Sequence, residues 1–190
     1  MAYPSQNRIW TVPNLISLFR LLLIPLMVSL YWKGRTMAAL TVFGVSAVSD
    51  VVDGPIARRF DMVTDLGKML DPLADKLTLG AATLCAARTH PQLFFLLGFM
   101  AMKELVQAAI GAHSFRQTGK VISAMWYGKV CTVVTTASLM AMFAFPGMPK
   151  GLVNGLLVLC TIMMAGALAL YARRWYALNE AARQERRVLS

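Results

Sequence analysis

This sequence predicts an all-α integral membrane protein with six transmembrane helices and a short N-terminal interfacial segment. Three observations lead there. Apolar residues fill 57% of the 190 positions, and they gather in several runs of about 20, the length a helix needs to cross a bilayer core. Cations lie between those runs and not on one soluble face, although the formal net charge is +10. That placement suits anionic lipid headgroups and phosphate-bearing substrates and points away from nucleic acid. The length corresponds to a single domain over residues 1–190.

The elements follow in order. Residues 3–10 form the interfacial segment, with Arg8 and Trp10 as anchors. The first span covers residues 13–31, Pro13 being suited to an opening position. Arg20 interrupts its apolar run and no small-residue cleavage site follows, so a cleaved signal peptide is not expected. The second and third spans cover residues 36–58 and 66–88, joined by a short loop over 59–66 that makes them antiparallel neighbours. The fourth covers 91–115 and the fifth 128–145; Pro146-Gly147-Met148-Pro149 turns the chain into the sixth, 151–173. The polar tail after Arg174 reads as a surface helix. Cys85, Cys131 and Cys160 sit in apolar stretches without metal or disulfide spacing, and read as small core residues.

Six spans put both termini on one side. That side holds the basic residues near 8, 58–59, 116–129 and 173–187, against Lys33, Arg35, Arg88 and Lys150 on the other. The excess of positive charge places both termini in the cytoplasm, and with them the ends of the second and third helices.

Those ends carry the chemistry. Asp50 and Asp53 close the second helix, and Asp71 and Asp75 open the third. Spacings of three and four put each pair on a single helical face. Ionisable groups at membrane depth are costly and mark function by default. Four carboxylates repel one another unless a cation sits among them, and hard divalent ions share such oxygens with phosphates. Facing pairs can hold one or two metal ions, and two can clamp both oxygens of a phosphoryl displacement. A carboxylate-lined ion transporter is the reading from another class.

The run Asp50-x2-Asp53-Gly54-x2-Ala57-Arg58-x8-Gly67-x3-Asp71-x3-Asp75 resembles the signature of the CDP-alcohol phosphatidyltransferase family. Eight fixed positions over 26 residues match, with both gaps of the right length. A transporter has no need of these glycines, Ala57 and Arg58. The resemblance implies a bacterial cytoplasmic-membrane enzyme, a homodimer, that moves a phosphatidyl group from CDP-diacylglycerol to an alcohol and releases CMP. It implies Mg2+ or Mn2+, two ions, held by Asp50, Asp53, Asp71 and Asp75, with Asp75 as the base on the acceptor hydroxyl. Gly54 and Ala57 would wall the cytidine nucleotide, and Arg58 would grip the diphosphate. Thr64 matches a hydroxyl that contacts the nucleotide, and Asn14, Ser17 and Arg20 match an N-terminal Asn-x2-Ser/Thr-x2-Arg element, of which Asn14 and Ser17 would also bind CDP-diacylglycerol.

Other readings stay beside these. Gly54 and Gly67 suit helix packing as well as ligand approach. Arg58 suits an interfacial charge, and Arg20 suits a side chain that snorkels. Pro55 kinks the second helix beyond the carboxylates. Lys103-Glu104 is an ion pair inside the fourth helix, and Gly128-Lys129-x2-Thr132 resembles a second family element. His113 reads as a surface residue and His90 as a loop residue. Residues 68–76 look most like the branch that accepts glycerol-3-phosphate. Members of that branch often carry a basic residue where Gly111 and Cys131 stand here. Arg116, Lys129, Arg173 and Arg174 are then the cytoplasm-side candidates for the acceptor, and a member that accepts phosphatidylglycerol to make cardiolipin is the alternative.

Overall fold

The computed structural model describes residues 11–59, 64–118 and 126–189, with the backbone alone at 13, 51–59, 65–66, 68–69, 115–118 and 181–189. The interfacial segment over 3–10 lies outside the described residues. All regular structure is helical: α1 (Val12–Trp32), α2 (Thr36–Arg59), α3 (Asp65–Thr89), α4 (Leu93–Thr118), α5 (Trp126–Ala144) and α6 (Lys150–Leu189). The all-α membrane architecture with six helices stands.

Four stretches among the described residues are long and apolar enough to cross a membrane: Asn14–Trp32, Leu93–Ser114, Trp126–Ala144 and Lys150–Glu180. The other two helices are α2, apolar over Thr36–Asp50 as far as its side chains are described, and α3. Their 24 and 25 residues give lengths of about 36–38 Å, more than a hydrocarbon core requires. These two helices carry the four signature carboxylates.

The chain divides into two compact units, residues 1–93 with 136–148, and residues 94–135 with 149–190. In the first unit, α1 lies against both α2 and α3, and α2 and α3 also meet each other. The buried face of α1 is a stripe: Asn14, Ser17, Arg20, Leu23, Met27 and Tyr31 recur every three or four residues, polar at the start and apolar after. On α2 the matching stripe is Ala39, Phe43 and Ser46, leading up to Asp50; on α3 it is Ala74, Thr78 and Ala82. Phe143 closes the apolar end against Tyr31 and Phe43, with ring centroids 4.8 and 5.7 Å apart. The hydroxyl of buried Tyr31 is hydrogen-bonded to that of exposed Thr89 at 2.9 Å, satisfying a polar group that burial would penalise.

In the second unit the buried residues include Leu96, Cys131, Val153, Cys160, Met164 and Ala167. The Cys side chains are buried and unbridged, as small core residues would be. Helix α6 runs unbroken for 40 residues, so the tail expected to form a separate surface helix continues the last span. No Gly or Pro falls between Tyr171 and Leu189, and the Ala, Arg, Glu, Gln and Leu there are good helix formers. His90 is buried and caps α3, donating its N–H to the Ala86 carbonyl at 2.9 Å, instead of lying in an open loop.

The turn out of α1 is fixed by one residue. Gly34 has φ +77°, its N–H donates to the Tyr31 carbonyl, and the Arg35 N–H donates to the Leu30 carbonyl, both at 3.0 Å. This pair of bonds satisfies carbonyls that the helix end would strand. Nothing lies near the place a Cβ would take, so the requirement is conformational and not steric. Gly34→Ala should therefore lower stability by about 1 kcal/mol and leave substrate turnover unchanged. Thermal unfolding in detergent beside a turnover assay checks this; an unaltered melting temperature would refute the role given to Gly34.

Candidate active site at the polar end of the first helix

The site is assembled on α1. Arg20 lies in the buried stripe with only 1% of its side chain exposed, and its guanidinium pairs with carboxylates on both neighbouring helices. One guanidinium nitrogen bonds Asp50 Oδ1, and another donates to Asp71 Oδ1 at 3.4 Å. Ser17, one turn earlier, donates its hydroxyl to the same Oδ1 of Asp71. Arg20 does not snorkel. It joins the end of α2 to the start of α3.

Burial grades sharply across this cluster. Arg20 is sealed, whereas the Asp50 and Asp71 side chains are 39% and 38% exposed. Each carboxylate meets α1 at Oδ1. Asp75, one turn along α3 from Asp71, is also partly exposed.

A second junction ties α1 to the beginning of α3. Thr64 is the N-cap of α3, with extended φ and ψ of −115° and 155°, and its hydroxyl accepts the Gly67 N–H at 3.0 Å. This satisfies one donor that the first turn leaves unpaired. The same hydroxyl donates to Asn14 Oδ1 at 2.9 Å. A Cβ at Gly67 would fall 2.5 Å from Asn14 Oδ1 and 3.0 Å from the Thr64 hydroxyl. Of the two readings of Gly67, close packing is the one this contact supports. Asn14, Ser17 and Thr64 thus make protein contacts at the start of α3.

Pro72 lies inside α3, between Asp71 and Asp75. Its ring removes the donor that would have met the Lys68 carbonyl, leaving a backbone oxygen to be satisfied near the carboxylates.

The remaining predicted residues divide into two groups. Asp53, Gly54, Ala57 and Arg58 lie on the last turns of α2, but their side chains fall outside the described residues, as does that of Arg116 on α4. Lys129 is exposed on the first turn of α5, where Thr132 donates to the Gly128 carbonyl at 3.2 Å. Arg173 is exposed and Arg174 partly so on α6. These cations belong to the second unit, and Asp50, Asp71 and Asp75 to the first. Within the second unit Lys103 pairs with Glu104 at 2.7 Å. The hydroxyl of Tyr171 sits 3.3 Å from where a Cβ on Gly111 would be, and His113 meets the Trp175 ring edge-on.

Among the described residues no three His, Cys, Asp or Glu side chains stand close enough to hold a metal ion. The oxygens that do converge, on Asp50 and Asp71, are held by a cation already built into the protein. They are hard donors of the kind Mg2+ prefers, with part of each carboxylate open, so the donor chemistry fits a divalent ion.

Comparison with known proteins now decides the family. The model for CDP-alcohol phosphatidyltransferases matches residues 10–173, across both units. The chain belongs to that family. It is 32% identical over 179 residues to the CDP-diacylglycerol–glycerol-3-phosphate 3-phosphatidyltransferase of Pectobacterium atrosepticum, covering 90% of this chain and 95% of that one. The Escherichia coli K12 protein of the same name is 32% identical over 140 residues, 70% of this chain and 75% of the relative. A Schizosaccharomyces pombe protein named cardiolipin synthase (CMP-forming)/mitochondrial hydrolase fusion protein is 44% identical over 84 residues. The chain spans only 14% of that fusion protein, and 44% of this chain is matched.

Because Gly67 is hemmed in and Gly80 on the same helix has open space beside it, the two give a paired test. Gly67→Ala should cost about 1–3 kcal/mol, the usual range for overpacking, whereas Gly80→Ala should cost nothing and gain a little helix propensity. Unfolding of the two variants in the same detergent measures the difference. Equal stabilities would refute the close approach of Asn14.

Proposed function

We propose that this protein transfers a phosphatidyl group from CDP-diacylglycerol to glycerol-3-phosphate, giving phosphatidylglycerophosphate and CMP. The observation that carries the reading is the eight-position signature on α2 and α3, with Asp50 and Asp71 drawn together by Arg20. The relative of almost equal length in Pectobacterium, whose name states this reaction, supports the acceptor.

In this reading Asp50, Asp53 and Asp71 hold Mg2+ or Mn2+, with Asp75 touching a second ion. The metal supplies neutralisation of charge on the diphosphate, which is where the barrier to phosphoryl displacement lies. Arg58 adds a forked donor to the same phosphates, and Gly54 and Ala57 leave room for the nucleotide. Asp75 takes the proton from the acceptor hydroxyl as its oxygen bonds to phosphorus, and the bond to CMP breaks. Ser17 and Arg20 hold Asp71 and Asp50 for this work, while Asn14 and Thr64 fix the start of α3. The protein works as one domain and as a homodimer in a bacterial cytoplasmic membrane. Both termini and the carboxylates face the cytoplasm, so that CMP leaves into water while the acyl chains stay in lipid.

A glycerol-3-phosphate acceptor carries about two negative charges and calls for cations. Lys129, with Arg116, Arg173 and Arg174, is assigned that role. The second reading is a cardiolipin-forming transferase that accepts phosphatidylglycerol, favoured by the fungal relative's name and by uncharged Gly111 and Cys131.

Purified protein given CDP-diacylglycerol and each acceptor in turn should release CMP with glycerol-3-phosphate, and chelation should stop it. Release only with phosphatidylglycerol would move the assignment to the second reading. No CMP with any acceptor would exclude a phosphatidyltransferase. Turnover undiminished in metal-free buffer would remove the metal from the mechanism.

Side-chain changes separate the roles. Asp75→Asn should lower kcat by a hundredfold or more, in the range expected for loss of a general base, yet leave metal-dependent nucleotide binding largely intact. Asp53→Asn should damage both. Lys129→Ala should raise the KM for glycerol-3-phosphate far more than that for CDP-diacylglycerol; equal effects would make Lys129 structural.

A further inference from the structure

We infer that Arg20 is a positioning residue of the site: a built-in counter-cation that gathers Asp50 and Asp71 before any metal ion arrives and that restrains how strongly the site attracts one. The inference rests on the reading of Asp50 and Asp71 as metal ligands. It goes beyond that reading in giving a role to a residue outside the carboxylate signature.

Three features of the cluster carry it. The guanidinium is sealed in the buried stripe of α1 and reaches carboxylates on two different helices. An arginine keeps its charge at any ordinary pH and presents donors in a rigid fork, so it can hold two carboxylates at once in a fixed geometry. The Arg20 bonds to Asp50 and Asp71, and that of Ser17 to Asp71, fall on Oδ1 atoms.

The charges set the direction of the effect. Asp50 and Asp71 alone would carry two negative charges into a region of low dielectric, and their mutual repulsion would push α2 and α3 apart. Arg20 cancels half of that charge and converts the repulsion into two attractive contacts. The same positive charge opposes the entry of a divalent ion. Removing it should therefore have two consequences of opposite sign: a metal-free protein that is less stable, and a protein that gains more stability from metal than the wild type does. A residue that merely packs would produce the first consequence without the second.

Arg20→Lys separates charge from geometry. A lysine keeps the positive charge but offers a single ammonium in place of the fork, so it holds the two carboxylates less well. Arg88, whose guanidinium donates to the Trp32 carbonyl at the far end of α1, is a control of the same chemistry outside the site.

The test is thermal unfolding of detergent-solubilised full-length protein, without nucleotide or lipid substrate, with EDTA and then with saturating MgCl2. Arg20→Gln should melt several degrees below wild type in EDTA, and its rise on adding Mg2+ should exceed that of wild type. Arg20→Lys should lose less in EDTA and show a Mg2+ rise close to the wild-type value. Arg88→Gln should match wild type in its Mg2+ response. An Arg20→Gln rise equal to or smaller than the wild-type rise overturns the inference, as does an unchanged melting temperature in EDTA. Should Arg20→Gln not be recovered as folded protein, Arg20→Lys decides: a loss in EDTA with a Mg2+ rise close to the wild-type value upholds the role, and either no loss in EDTA or a Mg2+ rise clearly different from the wild-type value overturns it. A wild type that gains nothing from Mg2+ refutes the metal reading itself, an outcome distinct from failure of the Arg20 assignment.

Discussion

The pairing of Arg20 with Asp50 and Asp71 is the contact on which the three-helix unit depends. A charged side chain at the centre of a membrane helix costs roughly 3 kcal/mol on insertion scales, and Arg20 is sealed within the apolar span Asn14–Trp32. The carboxylates it meets offset that cost. Together the three groups form two charge-assisted contacts, each of a kind worth about 1.5–3 kcal/mol, and they face solvent only on the carboxylate side. Removing any one member would strand a charge, which is the costlier failure in a buried pair. Arg20 on α1 supplies the cation on which a carboxylate from α2 and one from α3 converge.

Small residues let α1 come close. Ala39 on α2, and Ala74 and Ala82 on α3, are fully buried against their surroundings. Membrane helices gain little from excluding lipid, so association relies on close packing and interhelical hydrogen bonds. Here both are present and they divide along the length of α1. Leu23, Met27 and Tyr31 supply packing in the apolar half; Asn14, Ser17 and Arg20 supply hydrogen bonds in the polar half. Gly67 belongs to the second set, since the Asn14 amide occupies the volume of the missing side chain. One helix thus has two solvents, and its sequence changes character where they meet.

Much of this was legible in the residues. Apolar runs locate the helices, because the membrane sets their length. Carboxylates at intervals of three and four locate the site, because helical periodicity puts them on common faces. Two features were less visible. Arg20 reads equally as a snorkelling side chain, since nothing local says whether an arginine six residues into an apolar helix turns toward headgroups or toward a distant carboxylate. Thr64 carries the sign of an N-cap, a hydroxyl directly before a helical run. The resemblance implies a nucleotide contact for the same hydroxyl. The acceptor residues were proposed from their side of the membrane, a criterion that yields candidates without a geometry to join them.

The gradient of burial bears on how the reaction would proceed. If Asp50 and Asp71 were sealed, a substrate diphosphate would have to shed its water and then compete with Arg20 for the same oxygens. If Arg20 were open, it would pair with the diphosphate directly and release the carboxylates. With the guanidinium buried and the carboxylates more than one third exposed, neither competition arises. The permanent cation acts on Oδ1, and in the proposed reaction substrate and metal would approach from the open side. Pre-arranged charge of this sort requires no reorganisation when the phosphorus is attacked, which is where electrostatic catalysis is most effective. Holding the ligands from α1 also ties catalysis to packing. A change in how α1 seats between its neighbours, even one made at the apolar end near Phe143, would move Asp50 relative to Asp71 and be felt at the site.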